Sequence, residues 1–148
     1  MKDNFSVHGT YILLLECNYK AELGIGKLGK MNAEPGYYLY VGSAFGPGGI
    51  QARVRHHRKT ATRPHWHIDY LRAEAELINA WCVYGSRCEH EWAYSMAQNE
   101  DVTMPLKGFG SSDCNCATHL FYFSHRPLKS TLEKLLKNKL ESMNDQEL

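Results

Sequence analysis

Tyr37-Tyr38-Leu39-Tyr40-Val41-Gly42, followed by a turn at Gly46-Pro47-Gly48-Gly49 and then by Ile50 to Lys59, reads as strand, turn and helix in close succession. The aromatic and apolar run lies between Pro35-Gly36 and Gly42, the punctuation of a buried strand. Ile50, Val54 and His57 recur at the spacing of one helix face, and Pro64 ends the helical stretch. Thr10-Tyr11-Ile12-Leu13-Leu14-Leu15, bounded by Gly9, is a second buried strand of the same kind. A sheet built on these two strands organises the rest of the chain.

Working outward, Ile25 to Leu28 is expected as a third short strand extending the same meander. Trp66 to Ala75 reads as a short helical segment, and Leu77 to Tyr84 as a strand closed by Gly85-Ser86. Arg87 to Gln98 is expected to be a helix capped by Ser86, with Glu89 in its first turn, where the helix dipole favours an acid. Met104 to Asp113 is a loop, and His119 to Phe123 a final strand. Leu128, Leu132, Leu135, Leu136 and Leu140 then mark a lysine-rich helix. Strands and helices interleaved in this way predict an α/β (α+β) fold of modest size. Residues 1–143 are expected as one domain, with 144–148 a frayed tail.

The chain has 148 residues and a formal net charge of +1, so its whole surface is not built to coat nucleic acid or membrane. Charge is sorted locally instead. Pro35 to Ile68 contains no Asp or Glu, yet carries Arg53, Arg55, Arg58, Lys59 and Arg63 together with His56, His57, His65 and His67. Backbone amides at a helix start, backed by arginines one turn in, suit a phosphate. The longest apolar run, Tyr11 to Leu15, is too short to span a bilayer. No secretory-length apolar core opens the chain, and five cysteines are an odd number. A cytoplasmic protein with reduced thiols is therefore expected.

Several strings are weaker than they look. Gly24-Ile25-Gly26-Lys27-Leu28-Gly29 matches the dinucleotide fingerprint, but no amphipathic helix follows, so these glycines are expected in a hairpin or twisted strand. Cys82, Cys88, Cys114, Cys116 and His119 could between them supply the four ligands of a zinc ion. Cys114-Asn-Cys116, however, would point its thiols to opposite faces of a strand, and small buried thiols are the preferred reading. His65-Trp66-His67 is read mainly as packing. Arg53 and His57 lie one turn apart on one helix face, a cation beside a proton-shuttling imidazole, which suits phosphodiester chemistry.

Gly9-Thr10-Tyr11 on one strand, Tyr40-Val41-Gly42 on its neighbour, and Arg53, His57 and a later acidic residue on helices together resemble the GIY-YIG nuclease superfamily. The stretches Tyr-Val-Gly-Ser-Ala (40–44), His-Trp-His-Ile-Asp-Tyr-Leu (65–71) and Gly-Phe-Gly-Ser-Ser-Asp-Cys-Asn-Cys (108–116) are similar to a branch of small bacterial and archaeal proteins sometimes fused to endonuclease III-type repair enzymes. The resemblance spans roughly residues 8 to 124. It implies a small antiparallel sheet of about three core strands flanked by helices, and hydrolysis of nucleic acid, DNA before RNA, with Mg²⁺ or Mn²⁺. Tyr11 and Tyr40 would line the site, Arg53 would contact the scissile phosphate and His57 would stand one turn later. Glu89 would hold the metal, with Glu91 as the alternative. The general base is left open between Tyr40 and His57. Gly42, Ser43, Gly48, Gly49, Arg55, Arg58, Lys59, His67 and Asp113 complete the candidate substrate contacts. Two departures stand out: Thr10 replaces the isoleucine of the first tripeptide, and the gap from Tyr11 to Tyr40 is long. The rival expectations are a nucleic-acid-binding module that does not cut, and a small zinc-binding interaction domain. A protein partner or homodimer is left open.

Overall fold

A computed structural model describes residues 7–111 and 114–143. Asp113 and the expected frayed tail, 144–148, lie outside the described residues. The two strands that organise the sequence sit side by side. β1 (Gly9–Cys17) pairs antiparallel with β4 (Gly36–Ala44) along its whole length, and on its other edge with β5 (Glu76–Tyr84). β6 (Leu120–Phe123) adds outside β4 and β7 (Glu141–Ser142) outside β5, giving the order β6-β4-β1-β5-β7, antiparallel throughout. The chain is thus an α+β fold, as expected: three long core strands, β4, β1 and β5, with the short β6 and β7 added at the edges to make five.

Being central, β1 is buried on both faces, which is why it reads as a continuous apolar run. Its alternate residues feed two cores. Tyr11, Leu13 and Leu15 face one, with Tyr38, Tyr40, Ile50 and Val54; Ile12 and Leu14 face the other, with Leu39, Val41, Trp81 and Trp92. A register shift between Leu14 and Leu15 skips Ile78, so Leu77 and Ala80 reach the same core despite their odd spacing. α1 (Gly49–Arg58) and α2 (His67–Arg72) cover the first face; α3 (Glu89–Ala97) and α4 (Lys129–Leu136) cover the second.

Three expectations need correction. Ile25 to Leu28 is not a strand of the meander. Gly26–Leu28 is a 3₁₀ turn joining β2 (Ala21–Gly24) to β3 (Lys30–Ala33) in a separate two-stranded sheet. The positive φ of Gly26 (52°) and Gly29 (116°) closes that turn, and the apolar Ile25 is its buried plug. The fingerprint glycines are therefore a hairpin, as read. Ser86 does not cap α3: that helix starts at Glu89, and the Cys88 amide donates instead to Thr10 Oγ1 at 2.8 Å, whose own hydroxyl donates to the Ser86 carbonyl. Thr10 thus fastens β1 to the entry of α3, work that an isoleucine there could not do. Finally, α4 ends at Leu136 rather than Leu140, where Lys137 turns left-handed and the chain returns to form β7.

The start of α1 explains its glycines. Gly48 and Gly49 both adopt positive φ (82° and 64°), and a Cβ on Gly49 would collide with the Val7 carbonyl. At the other end, Arg72 donates to the carbonyls of His57 and Arg58, satisfying acceptors that a helix C-terminus leaves open.

Candidate active site

Tyr11 and Gly42 stand directly opposite each other in the β1–β4 ladder. The Tyr11 ring lies across Gly42, where any Cβ would fall far inside contact distance of its Cζ. That packing is why a glycine follows Tyr40-Val41. It aims the Tyr11 hydroxyl at α1, where it meets His57 Nε2 at 2.9 Å. Tyr40, two residues before Gly42, faces the same core, with its ring 6.5 Å from that of Tyr11 and 6.2 Å from that of His57.

Arg53 lies one turn before His57. Its guanidinium stacks 4.4 Å above the Trp66 ring and donates to the Ser43 carbonyl at 3.4 Å. The Ser43 hydroxyl donates to Glu89 Oε1 at 3.1 Å, so the first turn of α3 is tied to β4. Of the two candidate metal carboxylates, Glu89 faces this cluster; Glu91 is exposed and lies roughly 200° around α3 from it. Tyr11, Tyr40, Arg53, His57 and Glu89, from β1, β4, α1 and α3, are thereby brought together. Of the five, Arg53 alone lines the neighbouring cleft of about 240 Å³, with Gly46, Ala52, His56 and Trp66, while Tyr11, Tyr40 and His57 are buried behind it.

The electrostatics of these groups are set by burial. It lowers the His57 pKa from the ordinary 6.5 to about 3, with the neighbouring His56 adding to the effect, so the imidazole is neutral. Its Nδ1 has no hydrogen-bond partner among the described residues and stands 4.0 Å from Asp69 Oδ1. A carboxylate on that side favours the proton on Nδ1, leaving Nε2 to accept from the Tyr11 hydroxyl. Burial, with Tyr40 nearby, pushes the Tyr11 phenol well above its ordinary range, while Arg53 pulls it down. Burial and then Glu89 raise Tyr40, against the pull of Arg53. Both phenols are therefore protonated at neutral pH.

Asp69 is a residue that sequence reasoning missed. Burial alone would raise its carboxyl, but hydrogen bonds from the Trp66 and His65 amides and from His56 hold it below the ordinary range. It fixes Trp66 beneath Arg53 and anchors His56. Its signal was the aspartate three residues after Trp66, at the position where an acid closes the first turn of α2. His119 was also missed as part of this site. Buried beside β4, it places Nδ1 3.1 Å from the Val41 carbonyl and 3.6 Å from Glu89 Oε2.

The remaining candidates divide. Gly42 and Ser43 belong to the cluster. Gly48 and Gly49 shape the start of α1, where the Gly49 amide donates to the Gly46 carbonyl and the Ile50 amide to Val7, so those donors are already engaged. Arg55 is exposed and lies roughly 200° around α1 from Arg53, and Lys59, also exposed, follows the helix in extended backbone. Arg58 is half-buried, and its carbonyl is held by Arg72. His67 accepts from the Gly110 amide at 2.8 Å and so positions the 106–111 loop. Asp113 lies outside the described residues.

Among the described residues, two groups of side chains could hold a metal ion: His56, His57 and Asp69 within the cluster, and His90, Cys114, Cys116 and His119 beside it. Cys17, Cys82 and Cys88 are buried thiols, as expected. Cys114 and Cys116 are not: they lie in a bend rather than a strand, so both thiols turn the same way. No described helix is long and apolar enough to cross a membrane.

No curated protein and no solved structure matches the chain significantly. One family does, described as Domain of unknown function DUF123, over residues 10–142, a span that contains all five clustered side chains. The chain therefore belongs to the DUF123 family.

Proposed function

We propose that this chain is a divalent-metal-dependent endonuclease that hydrolyses phosphodiester bonds in DNA, with a site of the GIY-YIG type. The observation that carries the reading is the convergence of Tyr11, Tyr40, Arg53, His57 and Glu89 on one cluster, with Arg53 at the cleft that borders it.

The donor set fits the expected ion. Glu89 offers a partly exposed carboxylate beside the Ser43 hydroxyl, the oxygen chemistry that Mg²⁺ or Mn²⁺ prefers while keeping its waters. When bound, such an ion would supply charge neutralisation at a phosphate oxygen and at the leaving 3′ oxygen. Arg53, held in place by Trp66 and Ser43, stabilises the extra negative charge on the phosphorus as a water attacks. Tyr40, protonated, donates a hydrogen bond to that phosphate. His57 is occupied by the Tyr11 hydroxyl, so a proton bound for His57 passes through that phenol. Arg55, Lys59 and Arg63, outside the cluster, offer cations along the path of a nucleic-acid backbone.

The test is nicking of supercoiled plasmid with Mg²⁺ or Mn²⁺, comparing wild type with Arg53→Ala. Loss of an electrostatic group of this kind is expected to slow cleavage by about 10²- to 10³-fold. Equal rates in the two proteins would remove Arg53 from the mechanism. One observation favours a second reading, a nucleic-acid-binding module that does not cut: neither phenol is ionised and His57 is a weak base. That module would bind DNA with salt sensitivity and cut under no metal.

A further inference from the structure

The second group of metal-binding side chains lies outside the proposed chemistry. One donor atom from each of His90, Cys114, Cys116 and His119 lies within 4.8 Å of the others. With zinc–sulfur bonds of about 2.3 Å and zinc–nitrogen bonds of about 2.0–2.1 Å, a tetrahedral site needs sulfur–nitrogen edges of roughly 3.6 Å. Cys114 Sγ and His119 Nε2 are already 3.3 Å apart.

The orientation of His119 is the more telling feature. Its Nδ1 faces the Val41 carbonyl at 3.1 Å, and a carbonyl only accepts, so the proton sits on Nδ1. The Nε2 lone pair is therefore turned toward the thiols. A ring that ligates through one nitrogen while giving its other N–H to a backbone carbonyl is the usual arrangement around a bound metal. Cys114 and Cys116 are half-buried, and His90, exposed on α3, already brings a ring nitrogen within 4.8 Å of the other donors.

We propose that His90, Cys114, Cys116 and His119 bind a structural zinc ion that ties the first turn of α3 to the entry of β6. Two thiolates and two imidazoles select zinc over the hard ions that suit Glu89. The fold has use for such a tie. Among the described residues from Gln98 to His119, regular pairing is limited to the isolated bridge of Thr103 with Tyr122. His67 and the buried Phe109 hold the 106–111 part of it, and the zinc would hold the Cys114–His119 part. The zinc would also position Glu89, which precedes His90 and lies 3.6 Å from the Nδ1 of His119. It does not depend on the chain being a nuclease.

The experiment uses full-length protein, freed of any affinity tag and grown with supplementary zinc, with metal measured by plasma mass spectrometry. A single zinc per chain is expected in wild type and in Cys17→Ser, and none in the Cys114→Ser/Cys116→Ser double variant. Metal-free wild type titrated with Co²⁺ should develop thiolate-to-cobalt charge-transfer and tetrahedral bands that saturate at a single ion per chain. If the double variant fails to fold, this titration decides by itself. Wild type that neither retains zinc nor develops those bands, or a folded double variant that keeps its zinc, overturns the proposal. Zinc without DNA cleavage sinks only the hydrolase reading; cleavage without zinc sinks only this one.

Discussion

Neutral, buried His57 makes the stability of this protein depend on acid in a way that can be isolated. In the folded chain its pKa is lowered to about 3, against an ordinary 6.5. As pH falls below 6.5 the unfolded chain takes up a proton that the folded chain refuses, so stability falls until the folded pKa is reached near 3. Between pH 7 and pH 5 the unfolded imidazole goes from about one quarter to nearly fully protonated, which amounts to a loss of about 2 kcal/mol from this residue. His57→Gln keeps a partner for the Tyr11 hydroxyl and removes the titration. Urea unfolding of both proteins at the two pH values gives the comparison, and the variant's own cost at neutral pH cancels. Wild type should lose about 2 kcal/mol more than the variant on acidification. Equal losses would mean that His57 is solvated or charged in the folded chain, and the description of the site would be wrong.

Gly42→Ala puts a methyl group where the Tyr11 ring lies, and should destabilise the fold by about 1–3 kcal/mol while displacing Tyr11; urea unfolding reads the first and loss of DNA cleavage the second. Thr10→Val removes the acceptor for the Cys88 amide at a fully buried position and should cost about 1–3 kcal/mol, with Thr10→Ser recovering most of it; a Val variant as stable as wild type would show that the hydroxyl does not fasten α3. Because His57 stays neutral far below its ordinary range, the pH–rate profile of cleavage should show no inflection from this residue near 6.5. An inflection there that disappears in His57→Gln would contradict the assignment.

The elements legible in the sequence were those whose signal is local. β1 and β4 announce themselves as apolar runs between glycines, and α1 by Ile50 and Val54 at helical spacing. Signals that depend on distant partners were misread or unseen. Ile25 looked like a strand residue because it is apolar and buried, yet it plugs a turn set by two glycines of positive φ. The amide entering α3 is met by a hydroxyl from β1, which no inspection of Ser86 could reveal. β7 is two residues long and exists through pairing with Trp81 and Cys82.

The same division holds at the site. Tyr11, Tyr40, Arg53, His57 and Glu89 were found because their residue types and order resemble a known pattern. Asp69 and Trp66 were visible as letters but not as the support beneath Arg53, because that role depends on how α2 docks on α1. The cysteine–histidine group was set aside on strand geometry. The chain bends at Cys114 instead, and its fourth member, His90, comes from a helix that nothing in the cysteine spacing could point to.

The most direct measurement follows a labelled DNA duplex with wild type and Glu89→Gln, reading binding and cutting in the same reactions with Mg²⁺ or Mn²⁺. Glu89→Gln should hold the duplex about as tightly as wild type while cutting at least about 10²-fold more slowly, since only the metal-holding charge is gone. Cleavage by Glu89→Gln at the wild-type rate, or none by wild type under either ion, would contradict the proposed hydrolase.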